Sequence, residues 1–168
     1  MPTLEKDQKY LESAIPELKN YLLSDTLYYP MGQLPRLTIG GLLLAQKRLQ
    51  AGNRRTHLFP KLDSVKTKWY AAWTKKSARE IESRLALWRN YLNDYQNKPA
   101  EYATDYVNEV RWRVMLELLV DEMDEMPPEL ISLDQLLRTK LKESNFIWDV
   151  HLQNEFPENK FWFLYGSL

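Results

Sequence analysis

Apolar residues near the start of the chain recur every three to four positions, the spacing of one face of an α-helix. This first stripe includes Leu18 and Leu22, and Thr3 stands at a suitable N-cap position. Pro16 lies inside the stripe and predicts a kink or a restart. Residues 24–37 are rich in Tyr, Pro and Gly, which is typical of a structured turn.

A second helix is predicted from Thr38, its N-cap, to about Ala51. Gly52 follows at the position where a left-handed residue often ends a helix. The apolar run at residues 42–44 indicates that this helix is largely buried.

Residues 63–97 carry two apolar stripes that lie on different faces of a helix. The C-terminal stripe contains Ile81, Leu85, Trp88, Leu92 and Tyr95, and the N-terminal one contains Val65, Trp69, Ala72 and Trp73. Ser77 and Glu80 form a capping-box pattern between them, so the helix either restarts there or packs against different neighbours along its length. We predict one continuous or gently kinked helix.

Residues 100–126 are apolar on two opposite sides, which predicts a central helix that is antiparallel to residues 63–97. Pro127 and Pro128 end it, and a capping box at Ser132 and Gln135 predicts a short helix reaching about residue 141. The tail, residues 146–165, is compatible with a short strand hairpin or with a terminal helical turn. We predict the helical turn, which would place Phe161, Trp162, Leu164 and Tyr165 on the bundle.

The pattern therefore predicts an all-α fold, with residues 1–168 forming one domain. It is an irregular five- to six-helix bundle, centred on a long antiparallel hairpin of residues 63–97 with residues 100–126. The chain has no cysteine, its longest apolar or glycine run covers only residues 39–45, and its N-terminus is polar and acidic. These features predict a cytoplasmic protein that does not insert into membranes.

Charge is distributed unevenly along the chain although the formal net charge is zero. Residues 36–98 carry fourteen Lys or Arg and four Asp or Glu, whereas residues 101–168 carry six and fourteen. In an antiparallel hairpin, Arg89 would face Glu109, and Lys75, Lys76 and Arg79 would lie beside the acidic residues of 117–125. The hairpin is therefore expected to neutralise much of the charge internally.

A basic surplus remains outside this register. Residues 36–68 carry eight Lys or Arg and one acidic residue, Asp63. We predict a partner-binding patch at the end of the second helix and in the loop after it, formed by Arg48, Arg54, Arg55, His57 and Lys61. Such a patch suits an acidic protein, a phosphate backbone or an anionic membrane surface. It could equally be a solvated loop whose cations complement a helix dipole.

Two further patterns could bind a ligand. The aromatic and basic residues of 65–79 are compatible with single-strand nucleic-acid binding, although their helical spacing is more typical of a core. Gly40 and Gly41 at a helix start beside Arg36 could hold an anion, although close helix packing is the commoner reason for such glycines.

Enzymatic chemistry has little support in the sequence. Glu117 and Asp121 are four residues apart on an apolar face and could hold a divalent cation, but pairing with basic residues of the neighbouring helix is the favoured interpretation. Neither histidine follows a Glu by three positions, which argues against a di-iron bundle. No Ser, His and Asp set can be assigned. We predict no cofactor.

The sequence therefore predicts a non-enzymatic interaction or adaptor subunit of a larger assembly, which binds a protein partner through the basic patch. Two alternatives stay open. One is an RNA- or DNA-binding protein that uses the same patch, and the other is a metal-dependent enzyme that uses Glu117 and Asp121. No small-molecule substrate is indicated.

Overall fold

The computed structural model describes residues 3–54 and 56–168. In this part of the chain, seven α-helices account for most residues, and the strands are two to four residues long. The predicted all-α fold is confirmed. None of the described helices is both long enough and apolar enough to cross a bilayer. The chain packs into two compact units, an N-terminal one ending at Glu80 and a C-terminal one, Ile81–Leu168. Each is described by itself.

Helix α1 (Leu4–Leu23) opens the N-terminal unit. Its predicted cap is confirmed, since the Thr3 side chain accepts a hydrogen bond of 3.2 Å from the backbone N–H of Lys6. The helix continues through Pro16, so the predicted restart does not occur there. Pro16 is exposed. The apolar stripe is buried, and Leu11, Ala14 and Leu18 are inaccessible to solvent.

The turn predicted at residues 24–37 contains a β-hairpin. Strand β1 (Tyr29–Met31) pairs antiparallel with β2 (Leu34–Leu37), and Gly32 adopts a positive φ of 65° between them. A positive φ costs little at glycine because it has no Cβ.

Helix α2 (Ile39–Ala51) begins at the predicted cap, where the Thr38 hydroxyl accepts a 2.9 Å hydrogen bond from the N–H of Gly41. Its C-terminus differs from the prediction. Gly52 has a φ of −83°, and the left-handed residue is Asn53, with a φ of 55°. Gly52 instead packs closely against Leu4, whose side chain would have to move to admit a Cβ there.

The single helix predicted over residues 63–97 is two helices, α3 (Leu58–Lys68) and α4 (Tyr70–Asn97). Trp69 separates them with φ and ψ of −113° and 37°, values outside the helical region. The helix does not restart at Ser77, which is fully buried within α4. Within α4, therefore, the change of apolar face reflects different neighbours along one helix.

Two basic residues of α4 contradict the predicted charge register. The Lys76 ammonium donates to the backbone carbonyls of Ser24 and Thr26, at 2.6 and 2.9 Å. Arg79 donates to the carbonyl of Asp25 at 3.1 Å. Their pairing with the acidic residues of 117–125 was wrong because the turn after α1 offers unpaired carbonyls, which sequence periodicity does not reveal.

In the C-terminal unit, the helix predicted at residues 100–126 is divided. A short helix α5 (Pro99–Tyr102) and a 3-10 turn (Ala103–Asp105) precede α6 (Tyr106–Met123), which ends where Asp124 turns left-handed with a φ of 51°. Nine of its eighteen residues are buried, in agreement with a central helix.

Residues of α4 and α6 meet near the connection between these helices. The rings of Trp88 and Tyr106 are 6.4 Å apart, and the Tyr91 hydroxyl donates to the carbonyl of Tyr102 at 2.9 Å. The predicted pair of Arg89 with Glu109 was wrong. Arg89 pairs with Glu129 at 2.5 Å instead, because Glu129 lies in the first turn of α7 (Pro128–Lys140).

Helix α7 begins directly after Pro127, so the predicted capping box of Ser132 and Gln135 lies inside the helix. The Ser132 hydroxyl donates to the carbonyl of Pro128 at 3.3 Å, a local bond within the helix. Leu130, Leu133 and Leu137 form its buried stripe.

The tail contains two 3-10 turns, Val150–Glu155 and Trp162–Leu164, and the second lies in the segment where a helical turn was predicted. Strands β3 (Lys142–Glu143) and β4 (Gly166–Ser167) pair antiparallel, outside the segments considered for a hairpin. Gly166 leaves no room for a side chain, since a Cβ there would collide with Leu141. The expected burial of the tail is confirmed for Phe161, Leu164 and Tyr165, whereas Trp162 is half-buried.

Candidate functional site

Arg48, the first residue of the predicted basic patch, is committed to an ion pair within the N-terminal unit. Its Nε and Nη2 atoms bind the two carboxylate oxygens of Asp7 at 2.9 and 2.8 Å. Asp7 lies on α1 and is only 4% exposed. A bidentate, partly desolvated pair of this kind fixes α1 against α2, so the charge of Arg48 is compensated internally.

Three other residues of the patch lie on the surface. Arg54, His57 and Lys61 are all exposed. Arg54 also has its Nη1 atom 3.5 Å from the side-chain oxygen of Gln8, a distance at the weak limit of a hydrogen bond. Arg55 lies outside the described residues. The structure therefore presents three cations or potential cations of the predicted set to solvent.

Helix α3 extends this surface beyond the predicted patch. His57, Lys61, Ser64 and Lys68 are exposed, and at 100° per residue they fall within about 60° of one another around the helix axis. We call Arg54, His57, Lys61 and Lys68 the basic stripe. It runs from the loop after α2 along α3 and ends at the helix break.

Trp69, at that break, has two lysines close to its ring. The ammonium groups of Lys19 and Lys68 are 5.2 and 5.9 Å from its ring centroid, within cation–π range. Trp69 is half-buried, and the next residue, Tyr70, is 55% exposed. The sequence pattern favoured a core position for Trp69 and Trp73, and only Trp73 is fully in the core, at 1% exposure.

The predicted anion site at the start of α2 is occupied by a side chain of the protein. The carboxylate of Glu80, which is completely buried, accepts a 2.9 Å hydrogen bond from the backbone N–H of Gly40. A carboxylate at this position is stabilised by the positive end of the helix dipole. Because Glu80 takes the place of an external anion, this helix start adds nothing to the candidate interaction surface.

Glu117 and Asp121 do not form a joint carboxylate site. Glu117 accepts from Arg113 of its own helix at 2.9 Å, and Arg113 also binds Asp134 of α7 through two bonds of 2.8 Å. Asp121 pairs with Lys160 of the tail. The favoured pairing with a neighbouring helix was wrong in its partners, although both carboxylates are engaged by cations. Among the described residues, no group of three or more acidic or histidine side chains is arranged to hold a metal ion.

The pKa values of two buried cations, Lys76 and Arg113, are shifted in opposite directions. Burial lowers the pKa of Lys76, and the neighbouring charge of Arg79 lowers it further. For Arg113, burial alone would lower the pKa, but the hydrogen bonds and charge of Asp134, together with Glu117, raise it. Arg113 therefore remains a cation in the core and serves as a structural crosslink.

Comparison with protein-family models, with curated proteins and with solved structures finds no match to this chain. A function can therefore be proposed only from the geometry and charge of the described residues.

Proposed function

We propose that the protein is a non-enzymatic interaction subunit, which docks an acidic surface of a protein partner through the basic stripe. The observation that carries this proposal is the exposure of His57, Lys61 and Lys68 along one side of α3, with the exposed Arg54 in the loop before it and Trp69 and Tyr70 at its end.

Charge supports an acidic partner. The first 80 residues carry fourteen Lys or Arg and seven Asp or Glu, so this unit is strongly basic. The ion pair of Arg48 with Asp7 and the carbonyl contacts of Lys76 involve cations away from the stripe. The stripe keeps its charges in solvent, where complementary potentials steer association and fix the orientation of a partner.

The aromatic end of the stripe supplies a suitable anchor. Tyrosine and tryptophan are enriched at the energetic centres of protein interfaces because they bury a large area at a small entropic cost. Trp69 and Tyr70 lie beside Lys68, so an acidic segment with an apolar side chain could use both kinds of contact.

The proposal can be tested by fluorescence anisotropy with a labelled peptide that combines Glu or Asp residues with leucines. The triple variant Arg54→Glu, Lys61→Glu, Lys68→Glu should lose at least about tenfold in affinity, which corresponds to about 1.4 kcal/mol. Lys140→Glu with Lys142→Glu reverses two exposed charges of the C-terminal unit and should bind like the wild type. No binding of the peptide at low salt, or an equal loss in this control, would refute the proposal.

Nucleic-acid binding is the second candidate, and the position of Trp69 favours it. A half-buried ring with two lysines close to it can stack a base while the lysines contact phosphates. A labelled single-stranded oligonucleotide should then bind with an affinity that falls linearly in log salt, and Trp69→Ala should weaken it. Oligonucleotide binding that requires the stripe, with no binding of the acidic peptide, would replace the first proposal with this one.

A further inference from the structure

An open cleft of 460 Å³ lies in the tail of the C-terminal unit, far along the chain from the basic stripe. Its lining includes Glu143, Asn145, Phe146, Gln153, Glu158 and Tyr165. This volume falls within the range of about 300–1,000 Å³ that is usual for small-ligand sites. No lysine or arginine is among the lining residues.

Aromatic carbon forms part of the cleft wall. The rings of Phe146 and Tyr165 are 5.3 Å apart, and Phe146 is half-buried. The Tyr165 hydroxyl donates to the buried carbonyl of Phe156 at 2.7 Å, so its polar atom is already satisfied. Tyr165 lines the cleft while its hydroxyl is engaged elsewhere.

Two carboxylates complete the site. Glu143 and Glu158 both line the cleft and are exposed, and they come from segments on either side of the 3-10 turn Val150–Glu155. The unit that contains them has sixteen Asp or Glu and nine Lys or Arg. An acidic, aromatic cleft in an acidic unit favours a cation.

Two guanidinium groups of the same unit already contact aromatic rings, and one of them also binds carboxylates. The Arg113 guanidinium lies 4.4 Å from the ring centroid of Phe163 while it binds Asp134 and Glu117. On the surface, Arg138 lies 3.7 Å from the ring centroid of Trp162. The cleft offers the same two elements, an aromatic wall and a pair of carboxylates, with no arginine of its own.

We propose that this cleft binds a guanidinium group carried on a flexible chain, either the arginine side chain of a peptide or a free guanidino compound. A planar guanidinium can stack on a ring and bind carboxylates with two parallel hydrogen bonds, which an ammonium cannot do. The proposal does not depend on the function proposed for the basic stripe.

Titration of the ¹⁵N-labelled protein with agmatine and with the tripeptide amide Gly-Arg-Gly tests it. Amide resonances of residues 143–146, 150–153 and 158 should shift in a saturable manner. The citrulline counterpart of the tripeptide has the same shape without the charge and should cause no saturable shift. Binding of the tripeptide but not of agmatine would assign the site to a peptide, and the reverse would assign it to a free compound.

The variant Glu143→Gln with Glu158→Gln should weaken binding about tenfold, since charge-assisted hydrogen bonds become neutral ones. Phe146→Leu removes the ring but keeps an apolar side chain. The variant should still fold, and its affinity for the guanidinium should fall. Glu125→Gln removes one exposed charge of the same unit outside the cleft and should bind as the wild type does. Absence of saturable shifts with both probes, equal binding of the citrulline peptide, or an equal loss in Glu125→Gln would overturn the proposal.

Discussion

The two units bury a cation by different means. In the N-terminal unit, Lys76 is 3% exposed and donates to backbone carbonyls, with the Tyr21 ring 4.6 Å from its ammonium. In the C-terminal unit, Arg113 is 1% exposed and binds two carboxylates. Backbone carbonyls carry only partial charge, whereas carboxylates carry a full charge that must itself be compensated. Removing the cation should therefore cost a different amount of the free energy of unfolding in the two units.

The largest effect is expected for Arg113→Met, because it leaves Asp134 and Glu117 without their shared partner. Breaking a buried pair in this way costs about 3–5 kcal/mol of the free energy of unfolding. Urea denaturation followed by circular dichroism measures the loss. The triple variant Arg113→Met, Glu117→Met, Asp134→Leu should recover most of it, since no charge then remains unpaired. If Arg113→Met were as stable as the wild type, the two carboxylates would not need their shared partner.

A smaller loss, about 1–3 kcal/mol, is expected for Lys76→Met, because only neutral carbonyls lose their donor. The same denaturation experiment measures it. Lys75→Met, one residue earlier and exposed, is the matched control and should change the stability by less than about 0.5 kcal/mol. If Lys76→Met cost as much as Arg113→Met, the distinction between backbone and carboxylate partners would not hold.

Glu80→Gln tests the buried anion of the N-terminal unit. The amide oxygen can still accept from Gly40, so the variant keeps this hydrogen bond and loses the charge, whose interaction with the helix dipole is worth at most about 2 kcal/mol. Thermal unfolding should show a modest decrease in Tm for Glu80→Gln and a larger one for Glu80→Ala. An unchanged Tm for Glu80→Gln would show that the charge contributes nothing at this helix start, and equal decreases would show that the hydrogen bond contributes nothing without the charge.

A pH dependence should distinguish the two cations further. Because the pKa of Lys76 is lowered in the folded state, the unfolded chain binds the proton more tightly. Stability from this group is therefore present above the ordinary lysine pKa of 10.5 and is lost as the pH falls through the lowered value. The stability advantage of the wild type over Lys76→Met should increase as the pH is raised toward 10.5. Unfolding of both proteins at several alkaline pH values checks this direction.

The smallest effect on stability is expected for the basic stripe. Lys61→Glu and Lys68→Glu lie on the exposed side of α3 and should each change the free energy of unfolding by less than about 0.5 kcal/mol. Their effect should appear in partner binding alone. A loss of several kcal/mol would show that these lysines serve the fold and not a partner.

Local features of the fold were predictable because they depend on residues close in sequence. The caps at Thr3 and Thr38 and the buried stripe of α1 follow from hydrogen-bond chemistry and helical periodicity. The break at Trp69 was not predicted, because no Gly or Pro stands near it and tertiary packing decides such a break.

The candidate site was predictable only in part. The exposure of Arg54, His57 and Lys61 was predictable because charged loop residues are usually exposed. That Lys68 lies on the same side as His57 and Lys61 follows only when the first residue of α3 is known. The partners of Arg48 and Glu80 are 41 and 40 residues away in sequence, and no spacing rule links them. The cleft in the tail depends on 3-10 turns and on a two-residue strand pair, both too short to leave a periodic signal.

The missing side chain at Gly166 has a consequence for the proposed guanidinium site. Gly166 lies against Leu141 and pairs with Glu143, and its immediate neighbour in the chain is Tyr165. One added methyl group would collide with the Leu141 side chain, so either that side chain or β4 must shift. If β4 shifts, Tyr165 and the pairing with Glu143 shift with it, and a substitution that alters neither charge nor aromaticity should weaken recognition.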